Sequence, residues 1–251
     1  MSRAVYLVSR AGVAAPAGSL LVMVPALLES RSPILGRHSL VGCSTGYMEQ
    51  DRGDWTRLVQ AAAAVSSLAV ELSAISEPEL DGLLSYLRAA PRLPFRYVSV
   101  HGPSKERALA ESDLVRQLGT LPSWVDGIVM HPDTLADPSA YRALGRRLLL
   151  ENMDDRKQDG RTVDELERFF DELPQAGLCF DIAHAKSIDH TMEEGRKILQ
   201  RYANRLRHVH ISSLNPDGHH VSLAVEDQRL FWPLLESCRD VPWILEAPPP
   251  S

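Results

Sequence analysis

Six histidines and carboxylates fall at or next to the ends of short apolar runs: Tyr-Val-Ser-Val-His101, Gly-Ile-Val-Met-His131, Leu-Leu-Leu-Glu151, Leu-Cys-Phe-Asp181, Arg-His-Val-His210-Ile and Trp-Ile-Leu-Glu246. Imidazole nitrogens and carboxylate oxygens make a ligand set that zinc, manganese and iron all accept. Buried without partners, such groups are costly, so six of them converging demand counter-charge, and divalent ions supply it. The competing reading is a buried ion-pair network in a binding module that catalyses nothing. Two more pieces follow in the loops. Asp181-Ile-Ala-His184 adds an imidazole, and Asp217-Gly-His219-His220 adds a carboxylate and two imidazoles. Spacing from Asp217 favours His219 as the ligand, with His220 as the alternative.

These residues meet only if the runs lie side by side. Runs at 38–43, 68–72, 97–101, 127–131, 147–151, 177–181, 206–211 and 242–246 read as eight strands. Helical periodicity between them, at 54–65, 77–89, 105–118, 139–145, 163–173, 192–202 and 226–238, reads as seven helices. Strand and helix in alternation define an α/β chain with a parallel sheet, and eight units close a (β/α)8 barrel, for which 251 residues is an ordinary length. The eighth helix is missing at the C-terminus, and the apolar segment 19–29 is a candidate to fill its slot. The expectation is one domain, with residues 1–36 as an N-terminal extension packed on a barrel of 37–251. Side chains alternate along a strand, so Ser99, Val129, Leu149, Cys179, His208 and Ile244 should face inward one layer below the ligands. The chemistry then sits at the C-terminal mouth, above a packed pore.

A net charge of −6 argues against a general nucleic-acid surface. Cys43, Cys179 and Cys238 are odd in number and lack CxxC spacing, which predicts reduced thiols and a cytoplasmic setting. Arg10, Pro16, Gly18 and Pro25 interrupt the apolar N-terminus, so neither a signal peptide nor a membrane span is expected.

Taken in order, Val-Met-His131-Pro, Leu-Glu151-Asn, Cys-Phe-Asp181-Ile-Ala-His184-Ala, Val-His210-Ile, Asp217-Gly-His219-His220 and Ile-Leu-Glu246-Ala-Pro resemble the superfamily of xylose-isomerase-like barrels, which includes the endonuclease IV group of apurinic-site nucleases. The likeness runs from the first strand to the eighth. It implies two or three divalent ions, zinc first, with manganese or iron as alternatives. By position, His101, His131 and Glu151 would hold one ion. Glu151 would bridge to a second, completed by Asp181, His210 and Glu246. His184, Asp217 and His219 would hold a third. In the nuclease group such a cluster activates a hydroxide and neutralises a phosphoryl oxygen, which implies a hydrolase acting on a phosphorylated or polyhydroxylated substrate. Sugar and sugar-phosphate isomerases and epimerases of the superfamily resemble the chain in Glu151, Asp181, His210 and Glu246, which hold one Mn²⁺, Mg²⁺ or Co²⁺. There Glu151 and Glu246 would be the catalytic acid/base pair. A third implied activity is iron-dependent oxidation of a small molecule or peptide.

The chain departs from these relatives in ways that bear on substrate. After His101 it has Gly-Pro-Ser-Lys-Glu-Arg instead of the apolar wedge of the nucleases, which argues against duplex DNA and for a small, sugar-like or phosphorylated molecule. Met153 stands where xylose isomerase needs a lysine, and Ile-Ser-Ser-Leu-Asn-Pro follows His210 where several ketose epimerases carry an arginine. Lys105 and Arg156 are cations placed for an anionic group of the substrate. Glu71 either reaches the mouth to bind substrate or supports a histidine from behind. His38 and His190 read as locally bonded or solvent-facing, and His208 as pore packing.

Overall fold

The computed structural model describes residue 32 and residues 34–250. Its barrel strands are β1 (Val41–Ser44), β2 (Ala69–Ser73), β3 (Tyr97–His101), β4 (Gly127–Met130), β5 (Leu148–Glu151), β6 (Gly177–Asp181), β7 (Leu206–Ile211) and β10 (Trp243–Leu245). All pair in parallel, in the closed order β1-β10-β7-β6-β5-β4-β3-β2. A hairpin of β8 (Ser213–Leu214) and β9 (His220–Val221) stands apart from the barrel. The helices are α1 (Trp55–Val65), α2 (Glu77–Arg88), α3 (Glu111–Gly119), α4 (Val163–Glu172), α5 (Ile182–Ile188), α6 (Glu193–Arg201) and α7 (Val225–Leu235). The expected (β/α)8 barrel is what the described residues form.

The core lies between strands and helices. Val98, Val100, Ile128, Leu150, Phe180 and Val209 face outward into it, with Leu58, Leu83 and Phe231 from the helices. Local signals set the helix starts. Asp54 and Thr162 cap α1 and α4 by accepting from main-chain N–H groups, and Ser76 with Glu79 forms a capping box on α2. Inside the pore, Val129, Leu149 and Cys179 make a separate apolar cluster. Gly127 and Gly177 leave room for Leu149: a Cβ on either would lie 2.6 or 2.8 Å from its methyl groups.

Several boundaries differ from expectation. The first strand begins at Val41 rather than 38, because Leu35–Arg37 forms a 3-10 turn that ends at His38. His38 is buried and stacks on Trp243 at 4.2 Å, so it is a packed residue and not a solvent-facing one. The helix expected over 105–118 starts only at Glu111, which leaves Lys105 in a mouth loop. Where a helix over 139–145 is expected, a 3-10 stretch runs over Pro138–Arg147, broken at Gly145, where φ is 57°. Helix α5 was not expected. Among the described residues no helix follows β10, and none is long and apolar enough to cross a membrane. The segment 19–29 lies outside the described residues.

Candidate metal centre

Ligand atoms converge at the strand ends in two adjoining sets. In the first, His101 Nε2 lies 3.1 Å from His131 Nε2 and 3.3 Å from Glu151 Oε2, and His131 Nε2 lies 3.4 Å from the same oxygen. A tetrahedral ion with ligands at about 2.0–2.1 Å spaces them about 3.3 Å apart, so the triangle fits one. Gly102 O accepts from His101 Nδ1 at 2.8 Å, which turns Nε2 inward. In the second set His210 Nδ1 lies 3.3 Å from Glu151 Oε1, 3.3 Å from Glu246 Oε1 and 4.0 Å from Asp181 Oδ2. Asp181 Oδ2 and Glu246 Oε2 are buried without a hydrogen-bond partner. Orphaned carboxylate oxygens aimed at a shared centre are what a cation would satisfy. Ligand atoms within each set lie within 4.8 Å of one another, and the two sets share Glu151.

A third grouping, Asp181, His184 and His220, shares Asp181 with the second. Here the structure brings in the neighbour of the histidine that the spacing favours. His220, not His219, reaches the cluster: its Nδ1 is 2.7 Å from Ser212 Oγ and 3.4 Å from Glu246 Oε2. His219 is exposed on the cavity rim, and Asp217 is exposed and does not line the cavity. The cause is the β8–β9 turn, where Leu214 pairs with His220 and Gly218 takes φ +75°. His184 faces three carboxylates: Nδ1 lies 3.3 Å from Glu151 Oε1 and 3.8 Å from Asp181 Oδ2, and Nε2 lies 3.8 Å from Asp154 Oδ2.

Asn152 was missed by residue-type reasoning, although it stands in the Leu-Glu-Asn motif. Its side chain exchanges two 2.8 Å hydrogen bonds with the main chain of Asp181, and its carbonyl accepts from His184 Nδ1 at 2.9 Å. It therefore locks β5 to β6 and sets the His184 tautomer.

Glu71 does not reach the mouth. It is fully buried, accepts from Ser99 Oγ at 3.0 Å, and faces His210 Nε2 at 3.2 Å and His208 Nε2 at 3.5 Å. The substrate-binding role expected for it is replaced by its other reading, support of a histidine. β2 runs one residue further than expected, to Ser73, which pairs with His101, so Glu71 pairs with Ser99 one layer down. His208 is more than packing, since its Nδ1 is 2.7 Å from Tyr97 Oη.

The electrostatics follow from burial set against these pairings. Burial alone would raise the Glu151 carboxyl, but the imidazoles of His210, His101 and His131 together hold it well below its ordinary value. Glu71 is likewise pushed up by burial and drawn down to about 2, chiefly by His210. Glu246 keeps the raised value that burial imposes. Burial lowers His208 to about 3 and His220 to about 4.

The cluster floors a cavity of about 1110 Å³. Lys105 and Arg156, the two cations expected to meet an anionic substrate, both line it. Arg156 is engaged with Asp154 and with Asp217 O, whereas Lys105 extends into solvent.

These features define a class: parallel (β/α)8 barrels whose C-terminal mouth carries a His/carboxylate cluster fit for divalent metal. Within it the chain resembles the xylose isomerase-like TIM barrels, whose family model matches residues 133–247. Solved structures agree on the fold. Endonuclease IV from Thermus thermophilus superposes with a TM-score of 0.53 at 22% identity, over 83% of this chain and 92% of that one. The probable 3-DHS dehydratase AsbF of petrobactin synthesis from Bacillus anthracis gives 0.53 at 15%, over 82% and 91%. An AP endonuclease, family 2, from Brucella melitensis gives 0.50 at 14%, over 82% and 92%. No curated protein sequence matches the chain.

Proposed function

We propose that the chain is a metal-dependent hydrolase of a small phosphorylated or polyhydroxylated molecule, built on a dinuclear site. The observation that carries this reading is the sharing of Glu151: Oε2 belongs with His101 and His131, and Oε1 with His210, Asp181 and Glu246. One ion would be held by the first group and one by the second. Divalent ions there supply positive charge that polarises a substrate oxygen and lowers the pKa of water. The chain's own residues bind and orient. Lys105 offers an unengaged ammonium to an anionic group, and the histidine tautomers are fixed from outside by Gly102 O, Asn152 O and Glu71. The cavity holds a molecule larger than a single sugar, and the mouth lacks an apolar wedge after His101, which favours a small molecule over duplex DNA. Three free, buried cysteines suit a reducing compartment such as the cytoplasm.

The test is elemental analysis of protein purified without chelator, followed by a screen of phosphoesters. Two equivalents of zinc or manganese with phosphoester hydrolysis that Glu151→Ala abolishes is the expected result. Full activity in that variant sinks the assignment.

One observation favours a second reading, a one-ion sugar or sugar-phosphate isomerase or epimerase. Glu151 and Glu246 flank the same His210 nitrogen with their acidities driven apart, as an acid/base pair requires. A single equivalent of metal, with deuterium from solvent entering the product carbon, would select it.

A further inference from the structure

The third metal that the resemblance implies does not fit this chain. Asp181 is needed by the second ion, so a third would have only His184 and His220 to itself. The carboxylate the sequence offered, Asp217, is exposed and does not line the cavity. The carboxylate that is present, Asp154, is already matched to a cation. It is almost fully buried, and its Oδ2 accepts from Arg156 Nη2 at 2.5 Å and Nε at 3.2 Å while Oδ1 accepts the Arg156 main-chain N–H at 2.9 Å. The same Oδ2 faces His184 Nε2. Arg156 Nη1 donates to Asp217 O at 3.1 Å, and the guanidinium lies over Gly218, where a Cβ would stand 2.5 Å from Cζ. The hairpin backbone is thus shaped to admit this side chain.

We infer that Arg156 takes the place of the third ion, so that the loaded site holds two metals and one guanidinium. A guanidinium is permanently charged and planar, suits a carboxylate on one edge, and keeps N–H groups for another oxygen. It brings one positive charge where a divalent ion would bring two, and it also fastens the loop after β5 to the β8–β9 hairpin. The anionic-group role expected for Arg156 becomes a fixed feature of the site's charge.

The inference rests on the two-ion reading, and one experiment separates them. Wild type, Arg156→Gln and Gly218→Ala are reconstituted with zinc, desalted and analysed for metal per chain, with native mass spectrometry resolving the bound states. Arg156→Gln removes the charge, whereas Gly218→Ala displaces the guanidinium by bulk, at the cost of strain in a turn at φ +75°, and leaves the charge in the chain. The expected result is two equivalents in wild type and a third, more weakly held, in either variant that stays folded, as Asp154 becomes free to join His184 and His220. Three equivalents in wild type overturn the inference, and so do two in both variants. One or none in wild type overturns the two-ion reading and this inference with it.

Discussion

Beneath one ring of histidines and carboxylates the barrel interior is built in two unlike halves. Below His131, Glu151 and Asp181 the pore is filled by the apolar cluster Val129, Leu149 and Cys179. Below His101 and His210 it is filled by Glu71, Ser99, Tyr97 and His208, joined by contacts of 2.7–3.5 Å. A carboxylate behind a ligating imidazole fixes its tautomer and raises its basicity. The apolar half therefore supplies rigidity, and the polar half tunes a ligand.

The largest effect should come from the residue both halves serve. Glu151→Ala should lose both equivalents of metal, read by elemental analysis, and with them the rise in melting temperature that zinc confers on wild type. Retention of both ions would break the shared-ligand picture. Next, Leu149→Ala opens a void under the apolar half and should cost about 2–5 kcal/mol in urea unfolding, with zinc affinity of the folded protein changed less than twofold. Glu71→Gln should do the reverse, weakening zinc about 10–100-fold while preserving shape. If both variants acted alike on affinity, the two halves would not be distinct in role.

A smaller test concerns the base of the barrel. Burial lowers His38 to about 4 from 6.5, so the folded state refuses a proton that the unfolded chain accepts. Stability is then whole above about pH 6.5 and is lost as pH falls toward 4, by about 2 kcal/mol at pH 5 from this group. The pH slope of unfolding should flatten in His38→Asn, and an unchanged slope would remove His38 as its source. Smallest of all, His219→Ala should leave zinc content and affinity within twofold of wild type, since neither two-ion set includes it.

Much of this was legible in the sequence. His101, His131, Glu151, Asp181, His210 and Glu246 stood at the ends of apolar runs, and parallel strands have no option but to bring their ends together. What was not legible depends on single-residue register. Reading β2 as ending at Leu72 put Glu71 at the mouth, whereas the pairing of Ser73 with His101 drops it a layer. In the hairpin, His219 and His220 differ by one position, and in a strand one position reverses the face. The residues that Asp154 and Arg156 meet beyond each other lie 30 to 62 residues away, in His184 for the first and in Asp217 and Gly218 for the second, and no local pattern encodes them. Helix α5 was hidden because its first residues read as a ligand-bearing loop.

Asp181 shows what such economy costs in sequence space. Its Oδ1 accepts the His184 main-chain N–H at 2.6 Å and so starts α5, while Oδ2 is left for the His/carboxylate cluster that could hold metal. Asparagine would keep the helix start and lose the charge. Glutamate would keep the charge and lose the reach of a cap. Only one of the twenty side chains does both, so the position has an alphabet of one letter, and drift there is closed whatever substrate the barrel serves.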